Sequence, residues 1–254
     1  MQQNVYDSTF FEYTSQHSAK SAKLLIPVIK DLLPDIKSVV DFGCAQGVWL
    51  KTWNENGANE ILGIDGDYVD RSDIVIPLDR FIAKDLNEPI RLGKKFDLAY
   101  SLEVAEHLQP DSSEHFIDSL TKHSDIVLFS AATPGQGGEM HINEKPLDSW
   151  RRFFQTRGYD AFDCIRPKIA KNFDVSYWYR YNTILYVHED ALTNIPESTL
   201  TTKISRDVKI KDVSPPLFRI RKKIIRLLPL RAQNQVAKIK NFLSVKNDKL
   251  KNNR

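Results

Sequence analysis

Cysteine is nearly missing. Only Cys44 and Cys164 occur among 254 residues, which excludes a disulfide framework and a cysteine-based zinc site. No run approaches the roughly 18 uninterrupted apolar residues that cross a bilayer. The opening residues, MQQNVYDSTFFEYTSQ, lack the basic and apolar regions of a secretory leader. Together these absences lead to the expectation of a cytoplasmic protein. Net charge is small too: 36 Lys and Arg face 33 Asp and Glu, leaving +3, which argues against a uniformly basic nucleic-acid binder. What is present, 41% hydrophobic and 27% charged residues, is the balance of a folded globular chain. The length suits one large domain, or one domain with an appendage.

The small net charge hides an uneven distribution. Residues 203–254 carry 16 Lys and Arg against Asp207, Asp212 and Asp248, a local charge of +13, and the chain ahead of them carries 20 basic against 30 acidic residues, or −10. The sequence therefore reads as an acidic domain with a basic tail.

Between about residues 38 and 190, short apolar runs alternate with longer polar intervals. Residues 38–44, 60–65, 81–85, 96–102 and 125–130 read as buried strands, rich in Val, Ile, Leu and Phe. Most intervals suit crossover helices, so the sheet is expected to be mostly parallel. Runs at 161–169 and 183–187, joined by a short loop, suit an antiparallel pair at one edge. Helical spacing covers 18–33, through Ala22, Leu25, Ile26 and Ile29 with Pro34 closing it, and also 147–157.

The stretch VVDFGCAQG at 39–47 runs from a strand into a glycine-bearing turn and a helix from Val48. Small residues there allow close backbone approach, and the helix start aims N–H donors at whatever lies in the turn. A dinucleotide fingerprint requires glycine at 43, 45 and 48, but the chain has Gly43, Ala45 and Val48, with glycine recurring at Gly47. This G-x-(G/A)-x-G turn resembles motif I of the class I S-adenosylmethionine (SAM)-dependent methyltransferases, departing from the commoner GCGxG in Ala45. Asp65-Gly66 ends the second run, where an acidic side chain can accept from ribose hydroxyls. Asp85-Leu86 ends the third, and FDLAYSLE at 96–103 leads into VAEHL at 104–108, similar to that family's fourth-strand motif.

The resemblance covers roughly residues 5–190. It implies a Rossmann-like α/β fold: a seven-stranded, mostly parallel sheet with helices on both faces and an antiparallel edge strand. It also implies SAM as cofactor, with the methionine part near Asp41, Gly43, Cys44, Ala45 and Gly47, the ribose at Asp65 and Gly66, the adenine side at Asp85 and Leu86, and Ser101 on the fourth strand. The implied division is a lid segment at 1–35, a SAM-binding domain at 36–190, and a linker with a basic tail at 191–254. The segments FSAATPGQGG at 129–138, HINE at 141–144 with Trp150, and YWYRYN at 177–182 resemble a subgroup associated with bacterial glycan biosynthesis. That implies methyl transfer to a sugar hydroxyl, with a lipid-linked or small-molecule acceptor, or a non-catalytic SAM-binding scaffold, as the alternatives.

A hydroxyl acceptor is helped by a base, and histidine suits neutral pH. His141 follows a glycine-rich loop after the fifth-strand run and is the candidate base; its bland alternative is that it and Asn143 cap the helix near Pro146. Glu103 and His107 are candidates beside it, while His17, His115, His123 and His188 show no readable pairing. A metal centre would need Asp85, Glu103, His107 and His141 to converge, no ligand spacing is visible, and no metal is expected. Tyr6, Phe10, Phe11 and Tyr13 suit a lid or core packing; Trp150, Phe153 and Phe154 suit the core. Tyr177, Trp178 and Tyr179 are placed at the mouth of the last strand. In the tail, Leu217, Ile220, Ile224, Leu227 and Leu228 form one apolar face among Arg219, Lys222, Lys223 and Arg226. Such a helix can lie on an anionic membrane, dock on an acidic partner, or pack on its own acidic domain. Nucleic acid is not an expected partner.

Overall fold

The computed structural model describes residues 8–33 and 35–252. Helix α1 (Ser8–Leu32) precedes strand β1 (Ser38–Phe42), followed by α2 (Val48–Glu55), β2 (Glu60–Asp65) and β3 (Phe81–Ala83). Then come β4 (Leu98–Leu102), α3 (Ser113–Thr121), β5 (Ile126–Ser130), α4 (Leu147–Gln155) and β6 (Tyr159–Phe162). Two short helices, α5 (Arg166–Ile169) and α6 (Tyr177–Asn182), lead into β7 (Ile184–His188), and α7 (Glu197–Leu200), α8 (Pro216–Ile225) and α9 (Leu230–Asn252) complete the order.

The seven strands form one sheet in the order β3-β2-β1-β4-β5-β7-β6. β1 to β5 pair parallel, while β7 runs antiparallel to both β5 and β6. This is the mostly parallel sheet the sequence led us to expect, with the reversed strand one place in from the edge. Two-residue alternation gives the sheet two apolar faces. Val39, Leu98, Tyr100 and Leu128 pack against α1 and α2 through Leu25, Ile29, Trp49 and Trp53. Val40, Phe42, Ala99, Val127 and Phe129 pack against α3 and α4 through Phe116, Trp150 and Phe154. The opposite end of the sheet is pinned by Asp97, whose Oδ2 accepts from the Lys37 and Ser38 N–H groups at 2.8 Å each. The chain order reverses between β1 and β4, and in open α/β sheets that switch point places a ligand crevice beyond the carboxyl ends of the strands.

Two expectations change. The run 161–169 is not one strand: β6 ends at Phe162 and Pro167 lies in the first turn of α5, where its fixed φ and missing N–H are tolerated. The stretch before β7 is not a loop either, because residues 177–182 form α6. This helical excursion is fastened by Arg166, 1% exposed, which grips Asp163 through two bonds (2.8 and 2.7 Å) and donates to the Tyr181 and Lys211 carbonyls (3.0 Å each).

The tail is docked on the domain. Lys203 and Arg206 both pair with the buried Asp160 of β6, α9 packs along α1, and Lys222 reaches Asp212 and Thr133. Among the described residues, no helix is long and apolar enough to cross a membrane. The aromatic residue Tyr6, and the side chains of Phe10, Phe11 and Tyr13, lie outside the described residues.

Arg166→Ala strands two carbonyls and a partly buried carboxylate, so it is expected to cost about 2–4 kcal/mol. Urea unfolding should show a lower midpoint at an unchanged m-value; an unchanged midpoint would remove Arg166 as the fastener of α5 and α6.

Candidate active site

A cleft of about 640 Å³ opens beyond the carboxyl ends of β1, β2 and β4. At one end lies the turn after β1. Gly43 and Gly47 take φ of 94° and 84°, and a Cβ on Gly43 would lie 2.3 Å from Val104 Cγ2, so both positions need glycine. Ala45 adopts φ 47° without being glycine. Its N–H donates to Asp65 Oδ2 at 2.7 Å, which ties the turn to the end of β2. The following helix, α2, has no side-chain cap at its N-terminus, so its first N–H groups and the positive end of its dipole are available to an anion.

Asp41 and Asp65 are buried on this cleft wall, 4% and 3% exposed. Asp65 Oδ1 accepts from the Gly66 N–H at 2.7 Å and from the Tyr68 hydroxyl. Burial pushes the Asp65 carboxyl above its ordinary value, and the Tyr68, Ala45 and Gly66 donors oppose the shift without cancelling it. Asp41 is pushed further, by burial first and by Asp65 as well, with the Tyr100 hydroxyl opposing. Asp85 is exposed on the rim, where its Oδ1 accepts from Asn87 N and Nδ2 at 2.9 Å each. Leu86 beside it is buried, and Cys44 and Gly66 line the same end. Gly47 and Ser101 are not on the cleft wall. Gly47 is the N-cap residue of α2, and Ser101 is fully enclosed in β4.

At the other end, Glu103 leaves β4 with φ 59°. Its carboxylate accepts from Gln136 Nε2 at 2.8 Å and Asn182 Nδ2 at 3.0 Å, and Asn182 also donates to Gln136 Oε1 at 2.8 Å. Burial raises Glu103 while these donors hold it down. Met140, with φ 57°, is the third non-glycine residue with positive φ among the described residues. All three line the cleft. Strained backbone persists where the surroundings over-determine it, commonly at functional sites.

His141 meets Glu144, Nδ1 to Oε1 at 2.9 Å. The same carboxylate accepts from the Gly135 and Gly137 N–H groups at 2.6 and 2.8 Å, shaping the glycine-rich loop. The capping alternative fails: α4 starts at Leu147, its N-cap position is Pro146 and no side chain caps it, and Asn143 Nδ2 instead bonds the Ala105 carbonyl and Ser113. The His107 and His141 rings meet edge to face, centroids 4.8 Å apart. Burial and the neighbouring His141 pull His107 down to about 3. Glu106 is fully buried. The N–H groups of Glu106 and Ala132 face its carboxyl, yet neither carboxyl oxygen completes a hydrogen bond. Tyr177, Trp178 and Tyr179 line the cleft from α6. His123 is a structural residue, bonded to Leu92 N and the Ser119 carbonyl.

Sequence reasoning brought Asp41, Asp65, Glu103, His107 and His141 to one cleft but missed Glu106, Gln136, Glu144 and Asn182 as site residues. Glu106 was readable from its adjacency to His107, three residues after Glu103. Gln136 and Asn182 gave no signal, because their roles depend on where α6 lands.

The profile of a family described as "Methyltransferase domain" matches residues 15–155, more than half of the chain. The chain belongs to this methyltransferase-domain family, whose cofactor is S-adenosylmethionine. No curated protein matches it. Among solved structures, an O-methyltransferase family protein from Burkholderia thailandensis is similar at TM-score 0.52 and 12% identity, over 68% of this chain and 56% of that one. Magnesium protoporphyrin IX methyltransferase (ChlM) from Synechocystis PCC 6803 with bound SAH is similar at 0.46 and 17%, over 69% and 84%. DesVI of Streptomyces venezuelae is similar at 0.42 and 17%, over 51% and 58%. The chain thus spans little more than half the length of DesVI and of the Burkholderia protein.

The residues present suit that cofactor. An uncapped helix start can take a carboxylate, the buried Asp41 an ammonium group, and the Asp65 carboxylate paired hydroxyls.

Proposed function

We propose that this protein transfers the methyl group of SAM to a hydroxyl of a sugar or glycan intermediate. The observation that supports the reading best is the two-ended cleft. Asp41, the 43–47 turn and Asp65 lie at one end, with Asp85 and Leu86 at its rim. At the other end stand His141 with its Glu144 partner and the aromatic residues Tyr177 and Trp178. The sulfonium is already a good leaving group, so the protein's main task is to align acceptor oxygen, methyl carbon and sulfur. Asp41 and Asp65 receive the cationic methionine part and the ribose. Tyr177 and Trp178 offer apolar faces to a sugar ring. His141, with Nδ1 engaged by Glu144, presents Nε2 to the acceptor proton.

Calorimetry tests the cofactor assignment. Asp65→Asn should weaken binding of S-adenosylhomocysteine by about 10–100-fold, the loss of a charged acceptor of hydrogen bonds. Because burial raises Asp41 and Asp65, both lose charge at a higher pH than an ordinary aspartate. Affinity for cationic SAM should therefore fall as pH drops from neutral into the mildly acidic range. Equal affinity in the variant, or a flat pH profile, would sink the assignment.

For the transfer step, turnover should be followed with a pool of sugar and glycan acceptors. His141→Ala is expected to lose about 10²–10⁴-fold while keeping its affinity for S-adenosylhomocysteine. Full turnover in that variant would discard His141, and no turnover with any acceptor would favour a SAM-binding scaffold.

A second observation concerns where the enzyme works. Leu217, Ile220 and Ile224 of α8 and Leu227 in the turn after it form an exposed row, with Leu217 81% and Leu227 85% exposed, beside Arg219, Lys223 and Arg226. α9 exposes Ile239, Phe242 and Leu243 near Lys238 and Lys246. We infer that this surface lies on an anionic membrane at the cytoplasmic face, each basic residue near the surface adding about 1 kcal/mol. Deleting the tail is a poor test, because Lys240 and Asn241 line the cleft. Full-length protein should float with anionic but not neutral vesicles, and Leu217→Asp/Leu227→Asp should stay at the bottom of the gradient. Equal recovery on both vesicle types, or none on either, would end the membrane reading; the latter would favour an acidic protein partner.

A further inference from the structure

Five titratable side chains meet beyond the end of β4, and internal hydrogen bonds explain only some of them. Glu103 is satisfied by Gln136 and Asn182. Glu144 is satisfied by the Gly135 and Gly137 N–H groups and by His141. Glu106 is the exception. It is 0% exposed and both of its carboxyl oxygens lack a hydrogen bond, a costly arrangement for a buried polar group. One carboxyl oxygen of Glu106 and one ring nitrogen each from His107 and His141 lie within 4.8 Å of one another. Ligand atoms around an ion with bonds of about 2.1 Å sit roughly 3–4 Å apart, so small side-chain rotations close the set.

The outer contacts fit as well. A metal-bound imidazole characteristically engages its second nitrogen with a carboxylate or a backbone carbonyl, which fixes the ring and its tautomer. His141 Nδ1 is engaged by Glu144, which leaves Nε2 for an ion. His107 has the Met140 backbone carbonyl as its partner. A Cβ on Gly138 would lie 2.1 Å from His141 Nε2, so glycine at that position makes room for the ring. Read from the sequence alone, a metal centre would include Asp85 and Glu103. The structure turns Asp85 to Asn87 and Glu103 to Gln136 and Asn182, and puts Glu106 in the place they would have filled.

We propose that Glu106, His107 and His141 form a binding site for one divalent transition-metal ion of the Zn²⁺ or Mn²⁺ type. Two imidazoles with one carboxylate favour such ions over Mg²⁺ and Ca²⁺, which prefer all-oxygen shells. Three protein ligands leave coordination positions open, as in catalytic sites. The inference rests on the methyl-transfer reading only for its purpose: the ion takes the acceptor hydroxyl as a further ligand and lowers its pKa. The hydroxyl proton passes to solvent, the oxygen–methyl bond forms as the methyl–sulfur bond breaks, and S-adenosylhomocysteine leaves as a neutral thioether. One positive charge enters as the sulfonium and one leaves as the proton, with no change in the metal's oxidation state. His141 Nε2 then serves as ligand in place of base.

The test uses full-length protein stripped with a chelator, its affinity for S-adenosylhomocysteine measured separately by calorimetry. Mn²⁺ is then titrated and followed by electron paramagnetic resonance, with Zn²⁺ and Mg²⁺ as competitors. One Mn²⁺ per chain is expected, displaced by Zn²⁺ and not by a similar concentration of Mg²⁺. Glu106→Gln and His141→Gln should each weaken Mn²⁺ binding by about 100-fold or more, and the outer-contact variant Glu144→Gln by about 10–100-fold. S-adenosylhomocysteine affinity in all three should match the parent, which shows that they fold. Failure of Mn²⁺ or Zn²⁺ to saturate the protein, or unchanged Mn²⁺ affinity in Glu106→Gln and His141→Gln, would overturn the site. Metal binding without any affinity for S-adenosylhomocysteine would uphold the site and overturn the methyl-transfer reading instead.

Discussion

A cluster of buried carboxyl groups at one end of the sheet is the constraint around which the molecule is arranged. Asp41, Asp65, Glu103 and Glu106 gather at the carboxyl ends of β1, β2 and β4, and burial raises every one of them. An acid whose folded value exceeds its unfolded value contributes stability below the unfolded value, and that contribution is lost as pH rises through the folded value. At neutral pH these buried carboxyls therefore work against folding, and a cation placed among them offsets the loss. SAM carries two positive charges, an ammonium and a sulfonium, which suits a site of this kind. The neighbouring structure limits the penalty in the meantime. Tyr68 and the Ala45 and Gly66 N–H groups serve Asp65, the Tyr100 hydroxyl faces Asp41, and Gln136 and Asn182 serve Glu103.

These contacts require particular backbone paths, and the strain falls where they are demanded. Ala45 takes positive φ so that its N–H can reach Asp65. Glu103 does so at the point where the chain leaves β4, with its carboxylate turned toward Gln136 and Asn182. Met140 does so just ahead of His141. Gly43, by contrast, is where the sequence meets the same demand with the residue that tolerates it at least cost.

The end of the cleft proposed for the cofactor can be read from sequence because its geometry depends on local patterns. A buried strand, a glycine turn and an acidic strand end follow one another within a few residues, and parallel pairing carries them to the same edge. Ser101 lies off the cleft wall, because its motif gives its position in the chain but not its direction, and β4 points it into the protein interior. Residues 161–169 looked like one strand because apolar residues continue from Ala161 through Ile165 and Ile169, while Pro167 within them marks a helix start. Asn182 is the clearest limit of sequence reasoning. It reaches Glu103, 79 positions earlier, only because Arg166 fastens the α5–α6 excursion and β7 inserts between β5 and β6.

The same limit applies to the basic tail, which composition presents as an appendage and the structure makes part of the site. Gly135, at φ 82°, lies so close to α8 that a Cβ on it would sit 2.0 Å from the Lys222 carbonyl oxygen. Arg221 donates to the Gln136 carbonyl at 2.9 Å, and Asn241 of α9 donates to Glu139 at 2.8 Å. The loop that carries Gln136 and His141 is thus held from inside by Glu144 and from outside by the tail helices. α8 cannot shift against the domain without disturbing that loop, since no compressible side chain separates the two backbones at Gly135. The exposed apolar row of α8 lies on the same short helix as Arg221 and Lys222. Any surface that α8 rests on would therefore bear, through one backbone contact, on the loop that positions His141.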